Sequence, residues 1–200
     1  MSKLRRTLAL AGLAAWLVIG TAVGGALLIR HLVPLPAPPR TDTALRDAVR
    51  ELLPQRGWRA VHVMYRDCPC SQRTIAHLLA SQRPAELAEL VLIVDDDRQS
   101  GPEDPRLRAA GFPVSVIAPD ELRDRFHLEA APVLIVMSPE GELAYVGGYN
   151  RHKQSAAYED AAIVADVRAR HDVAPLPVFG CATSARLANE VDPLHLGRAR

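Results

Sequence analysis

The chain has 200 residues, a formal net charge of +1 and 48% apolar residues. That length admits one globular domain of ordinary size plus an appendage. The near-neutral balance excludes an electrostatic nucleic-acid binder, which needs a basic patch or stripe, so no nucleic-acid partner is expected.

From the N-terminus, Leu8 to Ile29 is a run of 22 residues without a charge, and a bilayer core needs roughly 20 in helical form. A cleaved signal peptide has a shorter apolar core, about 7–15 residues, ending in an A-x-A-like site. Here the small-residue stretch Ala22 to Ala26 runs on into Leu27, Leu28 and Ile29. A soluble core helix would not be apolar all round at the extreme N-terminus. Residues 1–32 therefore read as one transmembrane anchor. Lys3, Arg5 and Arg6 precede the span, against Arg30 and His31 after it, so the positive-inside rule keeps the N-terminus cytoplasmic. The rest of the chain is then exported; in a bacterium it crosses the inner membrane into the periplasm, where disulfides persist. Residues 33–40 (VPLPAPPR) hold four prolines in eight positions. They cannot continue a helix or pair as a strand, and read as a semi-rigid spacer between membrane and domain.

The exported domain, residues 41–200, opens with a helix capped by Thr41 or Asp42 and running to about Leu53, with Leu45, Val49 and Leu52 on one face. Ala60 to Tyr65 is a short β-prone run. It leads into Arg66-Asp67-Cys68-Pro69-Cys70-Ser71 and a helical pattern through Ile75, Leu78 and Leu79 to Gln82. Pro84 opens a further short helical stretch. Leu90 to Val94 has the β-branched content of a buried parallel strand. A polar loop spans Asp95 to Pro105, then come a short helix near Leu107, a strand-like piece from Pro113 to Ala118 and a helix from Asp120 to Phe126. Val133 to Met137 and Leu143 to Val146 flank Ser138-Pro139-Glu140-Gly141, a tight turn with glycine at its end. Ser155 to His171 reads as a long helix with Ile163, Val164 and Val167 buried. Strands alternating with helices and closing in a hairpin and a last helix imply an α/β fold: a three-layer α/β/α sandwich with a mixed central sheet.

The unit that carries chemistry is strand, Cys68-Pro69-Cys70, helix. A thiol at a helix N-terminus meets unsatisfied amides and the positive end of the dipole, which favour thiolate. A second cysteine nearby can attack a mixed disulfide and release the partner. Asp67 beside Cys68 opposes thiolate formation, while Arg66 and Arg73 favour it. Together with Ala131-Pro132-Val133 leading into the hairpin, this pattern resembles the thioredoxin superfamily, over roughly Ala60 to His171. The added strand and helix between Asp95 and His127 are similar to the insertion of membrane-tethered, thioredoxin-like disulfide reductases.

The resemblance implies a cis bond before Pro132, which would face the cysteines and shape the substrate-binding edge. It implies Cys68 as attacking thiol and Cys70 as its resolving partner, with no cofactor. Protein thiols or disulfides and a redox partner protein would be its partners. The family usually has two residues between its cysteines, and this chain has one. Either a residue is deleted after Cys68, or Pro69 and Cys70 match the second cysteine and its proline, which puts Asp67 at the nucleophile position; some thioredoxin-like proteins do carry Cys-Pro-Cys-Ser here. A third cysteine, Cys181, lies in the tail beside the apolar Val178 and Phe179. It is a candidate third thiol for Cys68 or Cys70, or a small packed residue.

Two other functional classes stand beside this one. Cys68 and Cys70, with Cys181 or a histidine such as His62 or His77, are a donor set for binding or delivering copper or zinc. A redox-inactive thioredoxin-fold scaffold is the other. Asp95-Asp96-Asp97 reads as a solvated loop, since no phosphate-cradling glycine-rich loop accompanies it.

Overall fold

The structure, a computed structural model, describes residues 3–84 and 86–192. The chain divides into two compact units, 1–33 and the remainder from Pro34.

The first unit is helix α1, Lys3–Leu32. At about 1.5 Å per residue a helix of this length exceeds a hydrocarbon core of about 30 Å. Its stretch Arg5–Gly25 is apolar and long enough to cross a membrane, and Leu10, Trp16 and Val18 on it are exposed.

The second unit opens on its proline-rich segment. That segment does not stand off as a spacer. Leu35 N–H donates to the Val178 carbonyl at 2.8 Å, and the Arg40 guanidinium reaches Asp172 at 2.9 Å. Helix α2 (Thr43–Leu52) follows, with the Asp42 carboxylate accepting the Leu45 N–H at 2.8 Å as its N-cap. Next in chain order come β1 (Trp58–Tyr65), α3 (Pro69–Ala80), β2 (Leu87–Val94), α4 (Glu103–Ala109), β3 (Val114–Ile117) and α5 (Pro119–Phe126). Then follow β4 (Ala130–Ala131), β5 (Val133–Met137), β6 (Leu143–Gly147), α6 (Asp160–Arg168), β7 (Cys181–Ala182) and α7 (Ala185–Val191).

The main sheet has the order β3-β2-β1-β5-β6. β1 runs parallel to β2 from Trp58↔Leu87 to Tyr65↔Val94, and antiparallel to β5 from Arg59↔Met137 to Val63↔Val133. The hairpin β5–β6 turns at Gly141, whose φ of +85° suits a residue without Cβ. Strand alternation sorts the core into two faces. Val61, Val63, Leu92 and Ile135 meet α2 and α5 through Leu45, Val49, Leu122 and Phe126. Ala60, Met64, Ile93 and Val136 meet the other layer through Ile75, Leu78, Leu107 and Ile163. A fully buried side chain such as Phe126 or Leu78 contributes about 1.5–3 kcal/mol.

Three further expectations change. No helix opens at Pro84: the strand β2 begins at Leu87, so only Arg83, Pro84, the undescribed Ala85 and Glu86 lie between it and the turn after α3. The helix expected over 155–171 is α6, Asp160–Arg168. Its upstream part is irregular because Asn150 Nδ2 donates to the Ser155 carbonyl at 2.6 Å and Ser155 Oγ accepts from Ala157 N–H at 3.0 Å, side-chain bonds that compete with helix. The tail also carries its own elements, β7 and α7, the latter capped by Ser184 Oγ accepting from Leu187 N–H at 3.1 Å. Residues 193–200 lie outside the described chain.

Candidate functional site

β1 delivers the chain to the site through a turn in which Cys68 N–H donates to the Tyr65 carbonyl at 3.1 Å. The Ser71 hydroxyl accepts the Tyr65 N–H at 3.0 Å. Cys68 is the N-cap of α3, extended at φ −96° and ψ 117°, and Pro69 fills the first helical turn, where its missing N–H costs nothing.

Opposite this helix start lies the segment β4–β5. Its Ala131–Pro132 peptide bond is cis, as the resemblance implied. β7 of the tail pairs antiparallel with β4, placing Ala131 opposite Cys181 and Ala130 opposite Ala182. That pairing brings Cys181 to Cys68, and the two form a disulfide with Cα atoms 5.9 Å apart across 113 positions of sequence. Gly180 is required here: a Cβ on it would stand 1.8 Å from the Ala131 carbonyl oxygen and 2.7 Å from Pro132 Cδ.

The expected bond between Cys68 and Cys70 is therefore not the one formed. Residues two apart at a helix start do not face one another, and Cys68 turns toward Ala131 while Cys70 turns away. The two cysteines also differ in exposure. Cys68 is fully buried, whereas Cys70 is a free thiol and half-buried.

Cys70 opens on a cleft lined by Arg73, Pro132, Tyr149, Asn150, Tyr158 and Phe179. Arg73 Nη2 lies 3.3 Å from its sulfur. Burial holds the Lys153 ammonium below its usual range against the opposing pull of Cys70, which puts that cation within electrostatic reach of the sulfur. Arg66 has another task. It pairs with Asp95 and Asp104 at 3.2 Å each and with Glu103, tying the turn before Cys68 to α4. Asp95 thus serves an ion pair rather than a cation site.

Beneath the cleft runs a buried polar network that sequence reasoning missed. His62 on β1 is hydrogen-bonded through Nδ1 to the Tyr149 hydroxyl at 2.8 Å and through Nε2 to Glu89 at 3.0 Å. Arg83 bridges Glu89 to Asp160, the latter at 2.6 Å, and His77 Nε2 lies 2.8 Å from Asp160 while its ring stacks on Tyr158 at 4.0 Å. Burial raises the Glu89 and Asp160 carboxyls, but hydrogen bonds from His62 and Arg83 to Glu89, and from Arg83 and His77 to Asp160, outweigh it and hold both low. Burial pushes the Tyr149 hydroxyl well above its usual value, so it stays neutral. Only the odd polar residue in an apolar strand, His62 in β1 and Glu89 in β2, marked this network in the sequence.

The histidines offered as metal ligands are thus engaged elsewhere, and among the described residues no group of three or more His, Cys, Asp or Glu side chains converges on a metal position.

Residues 40–167 match a family described as a domain of unknown function, DUF6436. No curated protein matches the chain. An uncharacterised conserved protein from Geobacillus kaustophilus superposes with a TM-score of 0.51 at 15% identity, over 76% of this chain and 91% of that one. A thioredoxin-like protein solved in its oxidised form gives 0.48 at 16% identity, over 70% and 98%. The thioredoxin domain of a thiol-disulfide oxidoreductase from Bacteroides vulgatus gives 0.40 at 12% identity, over 63% and 83%. With β1 between a parallel and an antiparallel neighbour, a cysteine capping the helix that follows it, and a cis-proline opening the hairpin, this chain is a thioredoxin-fold member of the DUF6436 family.

Proposed function

We propose that this chain is a thiol–disulfide oxidoreductase held by α1 in the inner membrane, with its domain on the oxidising side. The observation that supports this reading best is the Cys68–Cys181 bond at the helix start beside cis-Pro132. A disulfide there is where exchange chemistry would leave it. The reduced chain attacks a client disulfide through the Cys68 thiolate; one Cys68–client bond forms and the client's other sulfur leaves as thiolate. The Cys181 thiolate then attacks the Cys68 sulfur, forming Cys68–Cys181 and releasing the client's second thiolate. Two electrons pass from the chain to the client, and the reverse sequence oxidises a dithiol. Pro132 shapes the wall against which the client's sulfur is held. In this scheme Cys181, offered by the sequence as a third thiol for either cysteine, takes the resolving role that the resemblance implied for Cys70. The cytoplasmic side of the anchor is assigned from Lys3, Arg5 and Arg6.

The test is single replacement in the full chain, incubated with a disulfide peptide and read on non-reducing gels and by mass. Cys68→Ser abolishes exchange. Cys181→Ser accumulates the mixed disulfide, and Cys70→Ser keeps turning over. Should Cys70→Ser strand the adduct and Cys181→Ser not, the working pair is Cys68 and Cys70. Full activity of Cys68→Ser would remove that residue from the chemistry.

A further inference from the structure

The tail that carries Cys181 begins beyond residue 167, where the family match ends, yet it is built into the site. Leu176 and Pro177 lie against Gly147 and Gly148, where a Cβ would fall 2.9 Å from the Leu176 carbonyl oxygen and 2.0 Å from that of Pro177. Val178 is buried and bridged to Leu35. Cys181 and Ala182 pair with β4, Thr183 N–H donates to the Glu129 carbonyl at 2.8 Å, and Ser184 and Arg186 hold the Glu129 carboxylate. Short of covalent attachment to Cys68, this is how an extended polypeptide would be bound: a strand added to an edge, with one side chain delivered to the reacting group.

We infer that residues 178–183 are the template of the client, and that the site selects an extended polypeptide whose reacting cysteine directly follows a glycine. This rests on the exchange reading above. The selection comes from the position of Gly180. A client sulfur must stand where the Cys181 sulfur stands to meet Cys68, which sets the client cysteine opposite Ala131. The preceding residue then lies over the Ala131 carbonyl and Pro132, where any Cβ would fall 1.8 Å from the oxygen. That oxygen belongs to the main chain of β4, so it cannot swing aside as a side chain could. A residue larger than glycine has to lift the strand off β4, losing its main-chain hydrogen bonds and moving the sulfur out of line. The residue after the cysteine is less restricted, because Ala182 already carries a Cβ in its place.

The probe is a set of hexapeptides, Val-Phe-Gly-Cys-Ala-Thr and its analogues with alanine or valine replacing the glycine. Each is supplied as the mixed disulfide with thionitrobenzoate and mixed with the reduced full chain in detergent. The Cys68 thiolate attacks the peptide sulfur, the peptide becomes bonded to Cys68, and thionitrobenzoate leaves as a coloured thiolate carrying the electron pair. The glycine peptide should react at least about tenfold faster than either analogue, given two or more main-chain bonds at stake, and in Cys181→Ser, where no resolving thiol releases the adduct, mass mapping should place it on Cys68. In Gly180→Val, whose own tail strand cannot seat, the glycine peptide should react faster than with the wild type. If that variant does not fold, the wild-type comparison decides by itself. Equal rates for the three peptides, or adducts on Cys70, overturn the inference, as does reaction with the small mixed disulfide of mercaptoethanol but with no peptide. Failure of that small disulfide together with all peptides would instead strike the exchange reading on which it rests.

Discussion

Opening the Cys68–Cys181 bond removes a crosslink spanning 113 positions, and its worth can be worked from chain entropy. The loop-closure relation, −2.1 − 1.5R ln n, gives about −16 cal/mol/K, or about 5 kcal/mol at 25 °C. A bond between Cys68 and Cys70 would close a loop of only a few residues and by the same relation contribute less than about 2 kcal/mol. The two pairings therefore predict different stabilities on reduction. With a urea dependence of about 2 kcal/mol per M for a domain of this size, reduction should lower the unfolding midpoint by about 2.5 M for the long loop and by less than about 1 M for the short one. The assay is urea unfolding of the full chain in detergent, with and without reductant, followed at Trp58 on β1; Trp16→Phe silences the other tryptophan. Cys70→Ser should show the full shift, because the linked pair is intact in it. Cys181→Ser should start from the reduced value and barely respond to reductant. A shift below about 1 M in the wild type, or its loss in Cys70→Ser, would refute the assignment of Cys181 as the bonded partner.

Two further predictions concern the frame around the site. Glu89→Gln leaves Arg83 and His62 facing an uncharged amide, and should cost about 3–5 kcal/mol at neutral pH, as breaking a buried pair does. Glu89 is held below its ordinary 4.5, so its contribution is complete above that value and is lost as pH falls through the lower folded value. The urea midpoint of the wild type should therefore decline below about pH 4.5, and that of Glu89→Gln should decline less; parallel curves would contradict this. Asp42→Ala removes the carboxylate that caps α2 and should cost about 1 kcal/mol in the same unfolding measurement. No change would mean the cap is replaced by solvent.

Local pattern carried much of the architecture. The alternation of β1, the apolar run of β2 and the glycine-ended hairpin turn mark the sheet, because period and turn chemistry are properties of adjacent residues. The same holds for the uncharged run of α1, for Cys68 at a helix start and for Pro132 ahead of β5. Where neighbours compete with helix through side-chain bonds, as Asn150 and Ser155 do before α6, period alone overran the true boundary. The partner of Cys68 belongs to another order of information. A disulfide needs Cα atoms within about 4.4–6.8 Å, and proximity in sequence favours Cys70. What decides is that β7 adds to β4, across more than a hundred residues, and that the helix start turns Cys70 aside. The network of His62, Glu89, Arg83, Asp160 and His77 was hidden for the same reason. Its members come from separate elements, each unremarkable alone, and only packing gives a buried charge its partner. The amino-acid sequence by itself determined that a thiol stands at a helix N-terminus of an α/β domain behind an apolar span. Which thiol it bonds, and what lies along the cis-proline edge, depended on contacts that exist only once the chain has closed on itself.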